Sequence, residues 1–199
     1  MGSTTMIDIA GSILIGGLLL LVAVKMDEKA TENTYETQAT LTVQENLTSL
    51  VEEVEWYFGK IGYINNINAT PDRRYFILGG TSDSISFEAD VNRTGRFDTV
   101  SYYLGSTILG CPNPDVRYFY RKTDQEQPDE ANLGIANFSL AYFDQFGDTL
   151  QPPISAPDNV RIIKVTVKIE PTVMYDAAFD TVWSVWSETR SISRNLMAR

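Results

Sequence analysis

Histidine is absent from the chain and cysteine occurs once, at Cys111. That inventory alone excludes Ser-His-Asp and Cys-His nucleophilic catalysis, and metal sites built on His or Cys ligands. One cysteine cannot close an internal disulfide. Beside Pro112 in a turn, Cys111 reads as a small structural residue, with an intermolecular bridge as the alternative. Basic residues are scarce, 16 Lys and Arg against 26 Asp and Glu, and the formal charge is −10. Such a balance collects no phosphates and argues against nucleic acid as a partner. Neither a cofactor nor a metal is expected. The ordinary proportions of apolar and charged residues argue against wholesale disorder, and 199 residues make room for one domain and an appendage.

Helix breakers are missing too. From Leu18 through Phe58 there is neither glycine nor proline, and every proline lies at Pro71 or beyond. Proline costs about 3 kcal/mol and glycine about 1 kcal/mol inside a helix, so this gap predicts one uninterrupted helix. From about Thr4 to Phe58 it would be roughly 80 Å long at 1.5 Å per residue. Its character changes along its length. Ile9 to Val24 is apolar, preceded by Asp8 and closed by the charged "KMDEK". As a bilayer span that run covers about 24 Å, short of a hydrocarbon core of about 30 Å. A secretory signal is not expected, because no basic residue precedes the run and no small-x-small site follows at once. The middle, "KMDEKATENTYETQA", is polar all round and holds no sustained heptads, which disfavours a coiled coil. Between Lys25 and Lys60, three lysines face eight carboxylates, a net −5. Beyond the middle, Val43, Leu47, Leu50, Val51, Val54, Phe58 and Ile61 recur at steps of three and four, a stripe made for packing on a globular head.

The remainder alternates. In "SISFEADV", Ile85, Phe87, Ala89 and Val91 share one side. "VSYYLG" offers Val100, Tyr102 and Leu104, "DVRYFYRK" offers Val116, Tyr118 and Tyr120, and "FSLAYFD" offers Phe138, Leu140 and Tyr142. "VRIIKVTVKIE" sets Ile163, Val165, Val167 and Ile169 against Lys164, Thr166 and Lys168, and a last strand is expected in "FDTVWSVWSETRSIS". Alternation with one polar face predicts an antiparallel sheet that needs cover on its other side, and the helix stripe is the cover. The fold class is therefore α+β. Three segments are expected: an apolar helix over 1–25, its continuation over 26–62, and a β-rich head over 63–199.

Several motifs invite chemistry and have plainer readings. Asp90-x-Asn92-x-Thr94-Gly95 matches the opening of a calcium loop, but Ser101 stands at the twelfth position, where a bidentate Glu is required, so a hairpin turn explains it. Asp144 and Asp148 flank Gly147 in a turn and have no cleft for acid–base work. Tyr102, Tyr103, Tyr118, Tyr120, Trp183 and Trp186 can stack sugars or bases, and more often they pack a sheet. Sequons at Asn46, Asn68, Asn92 and Asn137 leave glycosylation open.

An apolar N-terminal helix that runs unbroken into an amphipathic half and then an antiparallel sheet resembles the type IV pilins and pseudopilins. In that family a peptidase removes a short leader, and the fifth residue of the mature chain is acidic; a cut before Thr4 gives Asp8 that place. Here Asp replaces the family's usual Glu, and Ser3 stands where Gly usually precedes the cut. The segments "ISFEADVNRTGRFDTVSYYLG", "VRYFYRK", "LAYFDQFG", "VRIIKVTVKIE" and the terminal "SRNL" are similar to the minor pilin W and pseudopilin J group. An enzyme is not expected, given the missing His and metal constellations. The resemblance implies a structural subunit that sits in the inner membrane and then polymerises with copies of itself into an extracellular filament, with prepilin peptidase and the pilus assembly machinery as partners. It also implies that Asp8 neutralises a neighbouring subunit's α-amino group. Gly11, Ser12, Gly16, Gly17 and Leu18 are the remaining expected interface residues; small residues let helix backbones approach. Val43, Leu47, Leu50, Val54 and Phe58 are the expected head-packing set.

Overall fold

The structure, a computed structural model, describes residues 2–65, 76–124, 127–172 and 185–191. The chain forms two compact units, Met1–Thr40 and Leu41–Arg199, and helix α1 (Gly2–Phe58, 57 residues) contributes to both.

In the first unit no described residue is buried; the first buried side chain of the chain is Val43. Helicity there rests on the backbone ladder and on the scarcity of helix breakers. Ser12, Thr34, Thr37 and Thr40 each donate a hydroxyl to the carbonyl four residues back, at 2.8–2.9 Å. Such back-bonding satisfies the hydroxyls while slightly destabilising and bending the helix. Lys29 pairs with Glu32 at 2.7 Å on the exposed surface.

In the second unit, the last turns of α1 pack on an antiparallel sheet, giving an α+β fold. The strands are β1 (Ile77–Gly80), β2 (Ser84–Ala89), β3 (Asp98–Thr107), β4 (Arg117–Thr123), β5 (Asp129–Phe143), β6 (Thr149–Leu150), β7 (Ile162–Ile169) and β8 (Val185–Ser191). Their order is β1-β2-β3-β4-β5-β7-β8, with β6 paired beside β5. The sheet curls far enough for the β1–β2 turn to bridge two strands that are not neighbours. Leu104 of β3 donates its N–H to Asp83 O, Leu140 of β5 donates to Ser82 O, and the Tyr142 hydroxyl reaches Thr81 O at 3.0 Å.

Val43, Leu47, Leu50, Val54 and Phe58 form the buried helix face, and Ile61, in the turn after it, is buried too. Phe58 meets Phe87 and Tyr102 edge-on, with ring centroids 5.5 and 5.8 Å apart, a favoured aromatic geometry. From the sheet come Ile85, Phe87, Val100, Phe138, Leu140, Tyr142, Ile163, Val165, Val167 and Ile169, all buried. On β4 the expected face is overturned. Val116 is buried, but Tyr118 and Tyr120 are half-exposed and Phe119 takes the core position. A register shift between Arg117 and Phe119 changes the facing side within the strand. The helix stops at Gly59–Gly62. Gly62 adopts φ +73°, and a side chain there would collide with the Phe76 ring.

Candidate assembly surface on the N-terminal helix

Residues 5–24 of α1 carry twelve large apolar side chains, Met6 to Val24, each at least half exposed. Ile9, Leu18 and Val24 stand at 60%, 61% and 50% exposure. The apolar residues occupy every side of the helix, so no single buried face can absorb them, and the helix is long and apolar enough to cross a membrane. Full burial of such a side chain is worth about 1.5–3 kcal/mol, so water disfavours this segment by on the order of 10 kcal/mol or more. Lipid removes that cost, and so does a bundle of like helices. Acyl chains are as apolar as leucine, so choosing between the two rests on close packing and polar pairing.

The structure places the expected interface residues as follows. Asp8 is exposed, and no cation among the described residues pairs with it. The Ser12 hydroxyl is spent on the Asp8 carbonyl at 2.8 Å, which leaves its small size as its contribution to any interface. At Gly11, Gly16 and Gly17 an added Cβ would meet nothing within 4 Å, so the chain itself does not require glycine there. Leu18 lies in the exposed run. These six residues share one helical segment. Val43, Leu47, Leu50, Val54 and Phe58 lie elsewhere, in the core of the second unit.

The remaining motifs resolve into local structure. Asp90 is fully buried, and its carboxylate accepts the N–H groups of Asn65, Thr94 and Gly95 at 2.9–3.0 Å. Burial alone would raise its pKa, but these bonds and the Arg93 N–H outweigh it and hold the carboxyl below its ordinary value. Asp98 lies close by, accepting from Val91 N–H and Asn92 Nδ2. Burial, together with the neighbouring Asp124 carboxylate, pushes its pKa up. Asp144 Oδ1 accepts the N–H groups of Phe146 and Asp148, which is turn chemistry. Cys111 is half-buried, with Sγ 3.5 Å from Thr172 O. Asn46 and Asn92 already use their amide groups on Leu133 O and Asp98. Asn68, Trp183 and the "SRNL" motif lie outside the described residues.

Sequence periodicity passed over one polar pin. Glu53 falls beside the apolar helix stripe, yet it accepts from Arg121 Nη1 at 3.0 Å and from the Tyr102 hydroxyl at 3.2 Å. Arg121 also pairs with Asp129 and lies 5.0 Å from the Tyr57 ring centroid. Arg121 is one of three basic residues on β4, with Arg117 and Lys122, so nothing in the sequence singled it out.

No protein family, curated protein or solved structure matches the chain. The order of elements, one long N-terminal helix and then an antiparallel sheet, is compatible with a pilin-like fold.

Proposed function

We propose that the chain is a structural subunit of an extracellular, type IV pilus-like helical filament, held together by its N-terminal helix. The observation that carries this reading is the exposed apolar run from Ile9 to Val24, bounded by Asp8 on one side and "KMDEK" on the other. The subunit waits in the inner membrane, is cut by a prepilin peptidase, and is moved by assembly machinery into a bundle of copies. Asp8 then pairs with the α-amino group of the neighbouring copy. An unpaired buried charge costs several kcal/mol, so misregistered helices are rejected. Gly11, Ser12, Gly16 and Gly17 let the backbones approach.

The test is filament yield. Asp8→Ala is expected to abolish or sharply reduce assembly while Asp8→Glu retains it; undiminished yield from Asp8→Ala would remove the register role. In a second reading the chain is a minor or tip pilin, or a pseudopilin of a secretion system, favoured by the resemblance of the head strands. Abundance separates them, since a main subunit dominates sheared filament material on a gel. In a third, the apolar helix merely tethers a binding module, and the chain then stays in the membrane fraction after shearing.

A further inference from the structure

Three neighbouring strand pairs lose their register along one line across the sheet. The irregularities fall between Leu104 and Thr107 on β3, between Arg117 and Phe119 on β4, and between Ile135 and Asn137 on β5. Their effect is visible in burial. On β4, Arg117 and Tyr118 are half-exposed in succession between buried Val116 and Phe119. On β5, Ala136 and Asn137 are half-exposed between buried Ile135 and Phe138. Regular strands alternate; bulges re-aim side chains, and they concentrate beside binding and active sites.

Here they aim Thr107, Arg117 and Asn137 into one groove of about 470 Å³, completed by Lys168 of β7 and by Asp115. Register explains the gathering, for Thr107 lies opposite Arg117, Arg117 opposite Ile135, and Asn137 opposite Lys168. That volume falls within the range of small-molecule pockets, about 300–1,000 Å³.

The two cations of the groove differ in how they are satisfied. Lys168 is tied to the buried carboxylate of Glu170, which Asn113 Nδ2 also holds at 2.9 Å. Arg117 has no carboxylate partner among the described residues, and its Nε is buried without an acceptor. Four residues along the same strand, the Arg121 Nε is likewise without an acceptor, but its terminal nitrogens are bracketed by Glu53 and Asp129. A partly dehydrated guanidinium without a direct ion pair is costly, and a planar carboxylate is its best complement. Asp115, lining the same groove, repels dianions.

Next to Arg117, the outward face of β3 and β4 carries an aromatic platform. Tyr103 and Tyr120 stack with centroids 5.1 Å apart, and Tyr118 lies 6.2 Å from Tyr120. Tyr120 lies over Gly105, where a Cβ would strike the ring. Half-exposed rings beside hydrogen-bonding side chains suit a ligand with one apolar face and a polar rim.

We propose that this groove binds an acidic carbohydrate through the carboxylate of a uronic acid residue. Arg117 takes the carboxylate, Asn137, Thr107 and Asp115 take ring hydroxyls, and the tyrosine platform takes the apolar face of an adjoining sugar. This site is independent of the filament reading, since it involves no residue of the N-terminal helix.

The test is titration of the full chain in detergent with methyl glucuronide, with methyl glucoside, acetate and inorganic phosphate as comparisons. Saturable binding of the glucuronide is expected, at least tenfold tighter than the other three. Arg117→Gln is expected to weaken it at least tenfold, and Arg161→Gln to leave it unchanged. Should Arg117→Gln misfold by circular dichroism, Asn137→Asp serves instead: it keeps the arginine, places a carboxylate in the groove, and should also weaken glucuronide binding at least tenfold. Glucuronide binding no tighter than glucoside, phosphate binding as tight as glucuronide, or an unaffected Asn137→Asp variant would each overturn the proposal.

Discussion

The two units of this chain solve the problem of apolar surface in opposite ways. In residues 41–172 the helix stripe and the sheet bury each other, and Leu50, Phe58, Phe87 and Tyr102 are all almost completely hidden. In residues 5–24 the twelve large apolar side chains from Met6 to Val24 find no cover among the described residues, and each stays at least half exposed. The difference lies in periodicity. Steps of three and four from Val43 to Ile61 gather apolar residues on one side, whereas Ile13 to Val24 wraps them around the whole helix. One pattern encodes a core within the chain, and the other requires a surrounding medium or copies.

Truncating one side chain in each unit gives the largest contrast. Phe58→Ala empties a site against Phe87 and Tyr102 and should cost about 3–5 kcal/mol of unfolding free energy, read by urea titration in detergent. Leu18→Ala should change that free energy by no more than about 0.5 kcal/mol while lowering filament yield. A smaller loss is expected from Gly134→Ala. Gly134 has φ +76° and its added Cβ would run into the Glu170 carbonyl, so the cost is about 1–3 kcal/mol. Gly147→Ala is the control: it has φ +86° but open space around it, and should cost less.

The sequence made the helix legible because breakers are costly and their absence is unambiguous. Alternation revealed β2, β3, β5, β7 and β8. It missed β1, whose "ILGG" is short and glycine-rich, the two-residue β6 and the first half of β5, and misassigned β4, where the shift between Arg117 and Phe119 exchanges faces. The groove on β3, β4, β5 and β7 was illegible for the same reason. Thr107, Arg117 and Asn137 meet only because three pairings slip, and period-2 reading assumes that none does. Among the proposed interface residues, Asp8 stands out as a carboxylate at the head of an apolar run. Glu53 does not, because only the fold brings Arg121 to it.

Two finer experiments sharpen the account of the second unit. The Glu53–Arg121 pair is partly solvated, with side chains 37% and 26% exposed, so a double-mutant cycle with Glu53→Gln and Arg121→Met should give a coupling of about 0.5–1 kcal/mol. Acid unfolding should then separate two aspartates of opposite sign. The folded pKa of Asp90 is held below 3.8, so its contribution is present above that pH and is lost as pH falls through the folded value. The folded pKa of Asp98 lies above 3.8, so its contribution is present below that pH and lost as pH rises through the folded value. In urea midpoints followed from neutral pH downward, Asp90→Asn should flatten the acid decline. Asp124→Asn, which removes the charge crowding Asp98, should raise stability near neutral pH relative to acid.

The central claim is that the apolar end of α1 comes to rest among copies of itself. Electron microscopy of sheared cell-surface material, with N-terminal sequencing of the principal protein recovered, tests it most directly. The account predicts thin fibres composed of this chain, beginning at or next to Thr4. Cells bare of fibres, with the chain recovered as a detergent-bound monomer from the membrane fraction, would contradict it.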